Sequence, residues 1–216
     1  MELADRIVAA SMKLFFERGI KAVSMDDVAK SVGISKRTLY ETFESKDTLL
    51  MACVDDMAGA HRRQMDDYIG CDMSFMEFML RCTYDAMSFL HRINPVFFSD
   101  LTRYNYVNVK LKFDNDIALY RQRIADMIER SKRDGHMRED VDSELVAMLF
   151  LGNRRGGLQE VVESGRWTLQ EVMRNLVAIF LRGMATESGI RVIDDALGRI
   201  VSMETQKETK KQKIEI

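Results

Sequence analysis

The chain has 216 residues, of which 46% are hydrophobic, enough for one medium domain or two small domains with a sizeable core. One proline and twelve glycines are few helix breakers, so the composition predicts an all-α protein. The formal net charge of −2 excludes bulk positive charge as a source of nucleic-acid affinity. No apolar run approaches the ~20 residues that span a membrane, and an odd number of cysteines indicates reduced thiols in a cytoplasmic protein.

The first predicted helix covers residues 3–18. Four apolar residues recur there at spacings of 4, 3 and 4, which is the period of an amphipathic helix: Leu3, Ile7, Ala10 and Leu14. Gly19 is expected to end this helix.

Residues 24–50 contain three helix-start signals in close succession. Ser24, Ser35 and Ser45 can each accept a hydrogen bond from an N–H group at a helix N-terminus, and Gly33 can take the positive φ of a sharp turn. The stretch therefore predicts a helix near residues 24–31, a three-residue turn and a helix near residues 35–42. Those are the proportions of a helix-turn-helix, whose second helix enters the DNA major groove.

Spacing alone leaves an alternative open, which is an ordinary helical hairpin with a solvated, charged face. The first fifty residues hold eight Lys and Arg and eight Asp and Glu residues, so these charges cancel. DNA affinity would need a local arrangement in which basic side chains face the DNA. The candidates for that arrangement are Lys30, Lys36, Arg37 and Lys46.

The next part of the chain is also predicted to be helical. A connector helix is expected from Ser45 to about Tyr68, and residues 73–93 are apolar around most of the circumference that a helix would have, which indicates a central helix. Asn94-Pro95 is expected to end it, and residues 96–108 are predicted to be irregular and rich in aromatic residues.

Four further helices are predicted before a frayed tail. They are residues 112–134, ended by Gly135; a helix capped by Asp140 or Asp142 that runs to about Ser164; residues 169–186, opened by a capping box of Thr168 and Glu171; and a short helix at residues 190–200. Residues 204–216 are charged and of low complexity, and we expect them to be disordered.

Ordered motifs run through residues 4–50. They are Ile7-Val8-Ala9-Ala10 with Leu14-Phe15-x-Glu17-x-Gly19, then Ser24-Met25-Asp26-Asp27-Val28-Ala29-Lys30, then Gly33-Ile34-Ser35-Lys36-Arg37-Thr38-Leu39-Tyr40, followed by Phe43 and Ser45-Lys46-Asp47-x-Leu49-Leu50. They resemble the TetR family of transcriptional regulators. The resemblance implies a three-helix, helix-turn-helix DNA-binding domain at residues 1–48. A connector helix would join it to a helical ligand-binding and dimerisation domain at residues 49–203, with a charged tail at residues 204–216.

The resemblance also implies which residues contact DNA. Lys36, Arg37 and Tyr40 match positions that reach bases or the adjacent backbone, and the positions that bind phosphate are matched by Ser24, Ser35, Thr38, Thr42 and Lys46. Two positions depart from the family pattern. Glu41 stands where an aromatic residue or His is frequent, and Glu44 stands where Pro is frequent. Glu41 must point away from the phosphates or read a cytosine amino group.

A ligand pocket is implied among the central helices. Its candidate residues are Phe75, Met79, Met87, His91, Phe97, Phe98, Arg103, Tyr104, Phe113 and Tyr120. An apolar stripe at helical spacing is more often simply core, so for any single residue a core position is the alternative.

The last long helices carry the implied homodimer interface. Its candidate residues are Leu151, Gly156, Leu158, Val161, Val162, Val172, Leu176, Ile179 and Phe180. Glycine inside a helix costs stability, and close packing of two helices is one reason for it.

Taken together, the resemblance implies a repressor that binds a palindromic operator in double-stranded DNA as a homodimer and is released by a small, largely apolar effector. The alternatives are a nucleoid-associated or ligand-independent DNA-binding protein and a helical protein-interaction module. No metal-ligand spacing, Gly-rich phosphate loop or nucleophile elbow occurs. We therefore expect no metal, no cofactor and no enzymatic activity.

Overall fold

The computed structural model describes residues 2–71, 73–152 and 164–212. Within them all regular secondary structure is helical, and the only extended pairing is one isolated antiparallel bridge between Met137 and Ala185. The prediction of an all-α protein is confirmed. No helix in this part of the chain is long and apolar enough to cross a membrane.

The chain forms two compact units. The first consists of Met1–Asp67 and His91–Ile117, and the second of Tyr68–Leu90 and Ala118–Ile216. The predicted domain boundaries after residues 48 and 203 stay a prediction. In chain order the helices are α1 Leu3–Arg18, α2 Met25–Val32, α3 Lys36–Thr42, α4 Lys46–Gly70, α5 Phe75–Leu90, α6 Val96–Arg133, α7 Ser143–Gly152, α8 Leu169–Val172, α9 Ala178–Met184 and α10 Glu187–Gln212, with a π-helical stretch at Met173–Val177.

In the first unit, α1 ends where the sequence predicts. Gly19 has φ +84°, and its N–H donates to the Phe15 carbonyl at 2.9 Å. The following turn is fixed by Asp100, a buried residue whose carboxylate accepts the Lys21 N–H at 2.9 Å. Because Asp100 lies on α6, the start of that helix anchors the connection between α1 and α2.

The start of α6 corrects the prediction of an irregular stretch at residues 96–108, since one helix runs without a break from Val96 to Arg133. Asn94 makes this possible, because its Oδ1 accepts the Val96 N–H at 3.0 Å and proline is tolerated at a helix start. Phe97 is buried and meets Phe16 edge-on, with ring centroids 4.9 Å apart. The aromatic residue that suggested irregularity is therefore a packing contact of a regular helix.

In the second unit, α5 is the central helix, as predicted. Phe75, Met76, Phe78, Leu80 and Met87 are all fully buried. The last helix packs against α5. It continues to Gln212, well beyond the short helix predicted at residues 190–200 and into the segment predicted to be disordered.

The loop after α6 holds the start of the last helix. Gly135 has φ +72°, and its carbonyl accepts the Ser188 hydroxyl at 2.7 Å. The next carbonyl, of His136, accepts the Thr186 N–H at 3.1 Å. Gly189 lies so close to this loop that a Cβ atom there would stand 1.9 Å from the His136 oxygen.

The capping box predicted for the segment 169–186 is confirmed, but that segment is not one regular α-helix. Thr168 donates its N–H to Glu171 at 2.8 Å, and Glu171 donates its own N–H to the Thr168 hydroxyl at 3.2 Å. The π-helical stretch then follows. Asn175 Nδ2 donates to the Glu171 carbonyl at 2.9 Å, which is the acceptor that an α-helix gives to the Asn175 N–H. Competition of this kind weakens the regular pattern.

Candidate DNA-binding surface

Helix α2 begins with a complete capping box. Ser24 accepts the Asp27 N–H at 3.2 Å, and the Asp27 carboxylate accepts the Ser24 N–H at 2.9 Å. The side-chain and backbone hydrogen bonds from Ser24 lower the pKa of Asp27. These bonds fix the residue at which α2 starts, and with it the position of the turn that follows the helix.

The turn between α2 and α3 depends on Gly33. This residue adopts the left-handed conformation, with φ +76° and ψ 34°, and a Cβ atom there would meet nothing within 4 Å. Glycine is therefore favoured at this position because of the backbone conformation, and not because a side chain would clash with a neighbour. The Ala29 carbonyl accepts the N–H groups of both Gly33 and Ile34 at 3.0 Å, which closes the helix end.

Helix α3 has one buried face and one exposed face. Leu39 is fully buried, whereas Lys36, Arg37 and Tyr40 are exposed, Tyr40 by 42%. Ser35 caps the helix by accepting the Thr38 N–H at 3.0 Å. The three residues predicted to reach bases thus share the solvent side of one short helix.

Both cations of α3 are paired with acids. Lys36 Nζ lies 2.8 Å from Asp26 Oδ1, and Arg37 Nε lies 2.9 Å from Glu41 Oε1. The hydrogen bond that Lys36 donates to the Asp26 carboxylate raises the pKa of Lys36. Sequence reasoning missed the role of Asp26, because it precedes Lys36 by ten positions and lies on the other side of a turn. The Arg37–Glu41 pair could have been found from its spacing of four residues.

The predicted phosphate-binding residues all lie in the first unit. The Thr42 hydroxyl donates to the Thr38 carbonyl at 3.0 Å. Lys46 begins α4 and is partly buried, and this burial lowers its pKa. In their present hydrogen bonds Ser24 and Ser35 cap helices, and Thr42 bonds to its own helix. The assignment of these residues to DNA contacts stays a prediction.

The predicted pocket residues are distributed over both units. Phe75, Met79, Met87 and Tyr120 are buried in the second unit, while Phe97 is buried, Phe98 half-buried and His91 exposed in the first. The side chains of Arg103, Tyr104 and Phe113 lie outside the described part of the structure. A cavity of about 370 Å³ in the second unit is lined by other residues, which are Arg121, Gln122, Ala125, Glu129, Lys132, Val141, Asp142, Ser143 and Glu144.

The predicted dimer residues divide by exposure. Ile179 and Phe180 are 60% and 46% exposed, whereas Leu151 and Val172 are buried. Gly156, Leu158, Val161 and Val162, and the side chain of Leu176, lie outside the described part. Sequence reasoning missed three further exposed apolar side chains on α7, at the helical spacing that could have identified them: Leu145, Met148 and Leu149.

Comparison with known proteins places these features among regulators. Residues 7–53 match the sequence model described as "Bacterial regulatory proteins, tetR family". The chain is 26% identical over 191 residues to the transcriptional repressor KstR2 of Rhodococcus jostii, covering 86% of this chain and 90% of that protein. It is 30% identical over 115 residues to the transcriptional activator FasR of Mycolicibacterium smegmatis, covering 53% of this chain and 47% of FasR.

Two solved structures show the same fold. The TetR family protein CprB of S. coelicolor A3(2) superposes with a TM-score of 0.64 at 21% identity, covering 91% of this chain and 95% of CprB. The transcriptional regulator FadR of Bacillus subtilis, solved in complex with stearoyl-CoA, has a TM-score of 0.62 at 16% identity and covers 83% of this chain and 98% of FadR. The likeness extends beyond the helix-turn-helix to most of the chain.

Proposed function

Because this chain is a helix-turn-helix transcriptional regulator of the TetR family, we propose that it is a repressor that binds a palindromic operator as a homodimer and is released by a small, largely apolar ligand. Its relatives are regulators of transcription, and the protein is not an enzyme. We place its action in the cytoplasm, where it would meet the chromosome.

The exposed face of α3 is the observation that carries this proposal. Lys36, Arg37 and Tyr40 lie on the solvent side of a short helix whose other side is anchored by Leu39. Lysine and arginine bind guanine edges and phosphates, and a helix of this size fits the major groove. The near-neutral net charge means that affinity must come from this local surface and not from the protein as a whole.

Apolar exposure on two helices of the second unit supports the homodimer. Large apolar side chains that remain in water are Leu145, Met148 and Leu149 on α7 and Ile179 and Phe180 on α9. Leu145, Met148 and Leu149 share one face of α7, and contiguous exposed apolar groups mark an interaction surface. A symmetric dimer buries the same patch of both copies and presents two recognition helices, which is why its DNA site is palindromic.

Selection of bound duplexes from random DNA tests the repressor assignment. We expect the full chain to select an inverted repeat whose half-sites are about one DNA turn apart or somewhat more. Light scattering at micromolar protein should give twice the 25.0 kDa mass of one chain. A single-chain mass, or recovery of sequences without any consensus, would contradict the proposal.

The ligand part of the proposal is supported by the apolar centre of the second unit and by relatives. FadR of Bacillus subtilis is solved with stearoyl-CoA, and another similar structure is a gamma-butyrolactone receptor. Met79 and Met87 are buried on α5, and methionine side chains adapt readily to an inserted apolar group. Such a ligand would act by binding the DNA-incompetent state more tightly than the competent one.

Native mass spectrometry tests for this ligand. The protein purified from its own cells is expected to carry a small-molecule mass excess that disappears after denaturation. The extracted compound, added back, should lower operator affinity, since it favours the incompetent state. A protein with no bound mass and an affinity that cell extract leaves unchanged would point to ligand-independent regulation.

A further inference from the structure

Glu41 is an acid on the surface that the proposed function turns towards DNA. Its Oε1 accepts a hydrogen bond from Arg37 Nε at 2.9 Å, and the two side chains are 60% and 88% exposed. An exposed ion pair of this kind contributes little to the stability of a helix. A carboxylate beside phosphates is also unfavourable for DNA affinity. Neither stability nor affinity accounts for an acid at this position.

The chemistry of arginine suggests what the pair does. A guanidinium has five N–H donors, and the bond to Glu41 uses only the one on Nε. The four N–H groups on the two Nη atoms can still meet the O6 and N7 acceptors that guanine presents in the major groove. While Nε is bonded to Glu41 the plane of the guanidinium is set, so an Arg37 side chain in this arrangement loses less freedom on binding DNA.

We propose that Glu41 is a specificity-determining residue that positions Arg37 to read a guanine in the operator. Where the DNA offers another base, Arg37 finds fewer acceptors, and it cannot turn towards others without breaking its bond to Glu41. This raises the free energy of the wrong complex relative to the right one, and the pair therefore gives discrimination rather than affinity. The inference rests on the proposed function, because it needs α3 to lie in the major groove.

The test compares wild type, Glu41→Gln, Arg37→Ala and the double variant of the full chain at one salt concentration. The duplexes are the operator selected by wild type, versions with each base pair of a half-site replaced, and unrelated DNA. The base pair that Arg37 reads is identified as the position at which the Arg37→Ala variant no longer discriminates between the operator and its replaced version. At that pair Glu41→Gln is expected to reduce discrimination by about tenfold while tightening binding to unrelated DNA. In the Arg37→Ala background it should change discrimination no further.

Glu44→Gln is the matched control, since it removes the same charge three residues further on, at an exposed position outside α3. It is expected to tighten binding to all duplexes alike. The inference is overturned if Glu41→Gln leaves discrimination intact or if Glu44→Gln changes it equally. An effect of Glu41→Gln that persists without Arg37 also overturns it and assigns Glu41 to direct reading of a cytosine amino group. If wild type selects no operator, the proposed function fails and this inference fails with it. If wild type selects an operator but Glu41→Gln discriminates as well as wild type, only the role of Glu41 is removed.

Discussion

Replacing Lys36 and Arg37 together by alanine is expected to abolish operator binding while the protein stays folded. Both side chains are exposed on α3, and alanine is the best helix former, so the helix and the buried contact of Leu39 should persist. Each cation that reads a base contributes about 1–3 kcal/mol. Operator affinity should therefore fall by about 100-fold or more.

The paired acids increase the expected loss. Asp26 and Glu41 are bonded to Lys36 and Arg37 in the free protein. In the double variant their charges remain without a partner from α3, and they would repel the phosphates. The measurement is a gel shift or fluorescence anisotropy titration at fixed salt, with helicity followed by circular dichroism.

A double variant elsewhere on the chain serves as the control. Lys13→Ala with Arg191→Ala removes the same two positive charges from exposed positions on α1 and α10. Its affinity should change far less, because neither residue belongs to α3 or to the acids that pair with its cations. Unchanged operator affinity in the Lys36 and Arg37 variant would refute the assignment of α3 as the recognition helix.

Replacing Gly189 by alanine is expected to lower the free energy of unfolding by about 3 kcal/mol. The added Cβ would stand 1.9 Å from the His136 carbonyl oxygen and 3.1 Å from the Ala185 Cβ. The obstacle is backbone and cannot rotate away. The loop cannot withdraw without losing the hydrogen bonds that Thr186 and Ser188 make to it.

Gly198 in the same helix is the matched control. A Cβ atom there meets nothing within 4 Å, so Gly198→Ala should stabilise the protein by about 1 kcal/mol through helix propensity. Urea unfolding of both variants at one protein concentration gives the comparison, because the stability of a dimer depends on concentration. A Gly189→Ala protein as stable as wild type would show that the loop does not pack as described.

The helix-turn-helix could be read from the sequence because its signals are local. The caps at Ser24 and Ser35 and the turn at Gly33 each act within a few residues. Hydrogen bonds of this range depend on the identity of neighbouring residues and hardly on the rest of the fold. Even so, the sequence could pair only Arg37 with Glu41, while the Lys36–Asp26 contact needed the packing of α2 on α3.

The long helix α6 shows why local signals fail elsewhere. Asn94-Pro95 and the aromatic residues after it predict an interruption, but the same proline is compatible with a helix start, and Phe97 is buried against Phe16 on α1. Whether this segment is interrupted or helical depends on the contact with Phe16, which lies about eighty residues earlier in the chain. No window of sequence contains that information.

The sequence by itself determined the helical class, the ends of α1, α2 and α3, and the residues on the solvent side of α3, because periodicity and capping are short-range effects. Only the tertiary structure decided that Asp26 pairs with Lys36, which apolar side chains on α7 and α9 stay in water, and why residue 189 must lack a side chain. Those properties depend on contacts between segments that are distant in the sequence, because packing in the folded protein decides which groups are buried and which hydrogen-bond partners they meet.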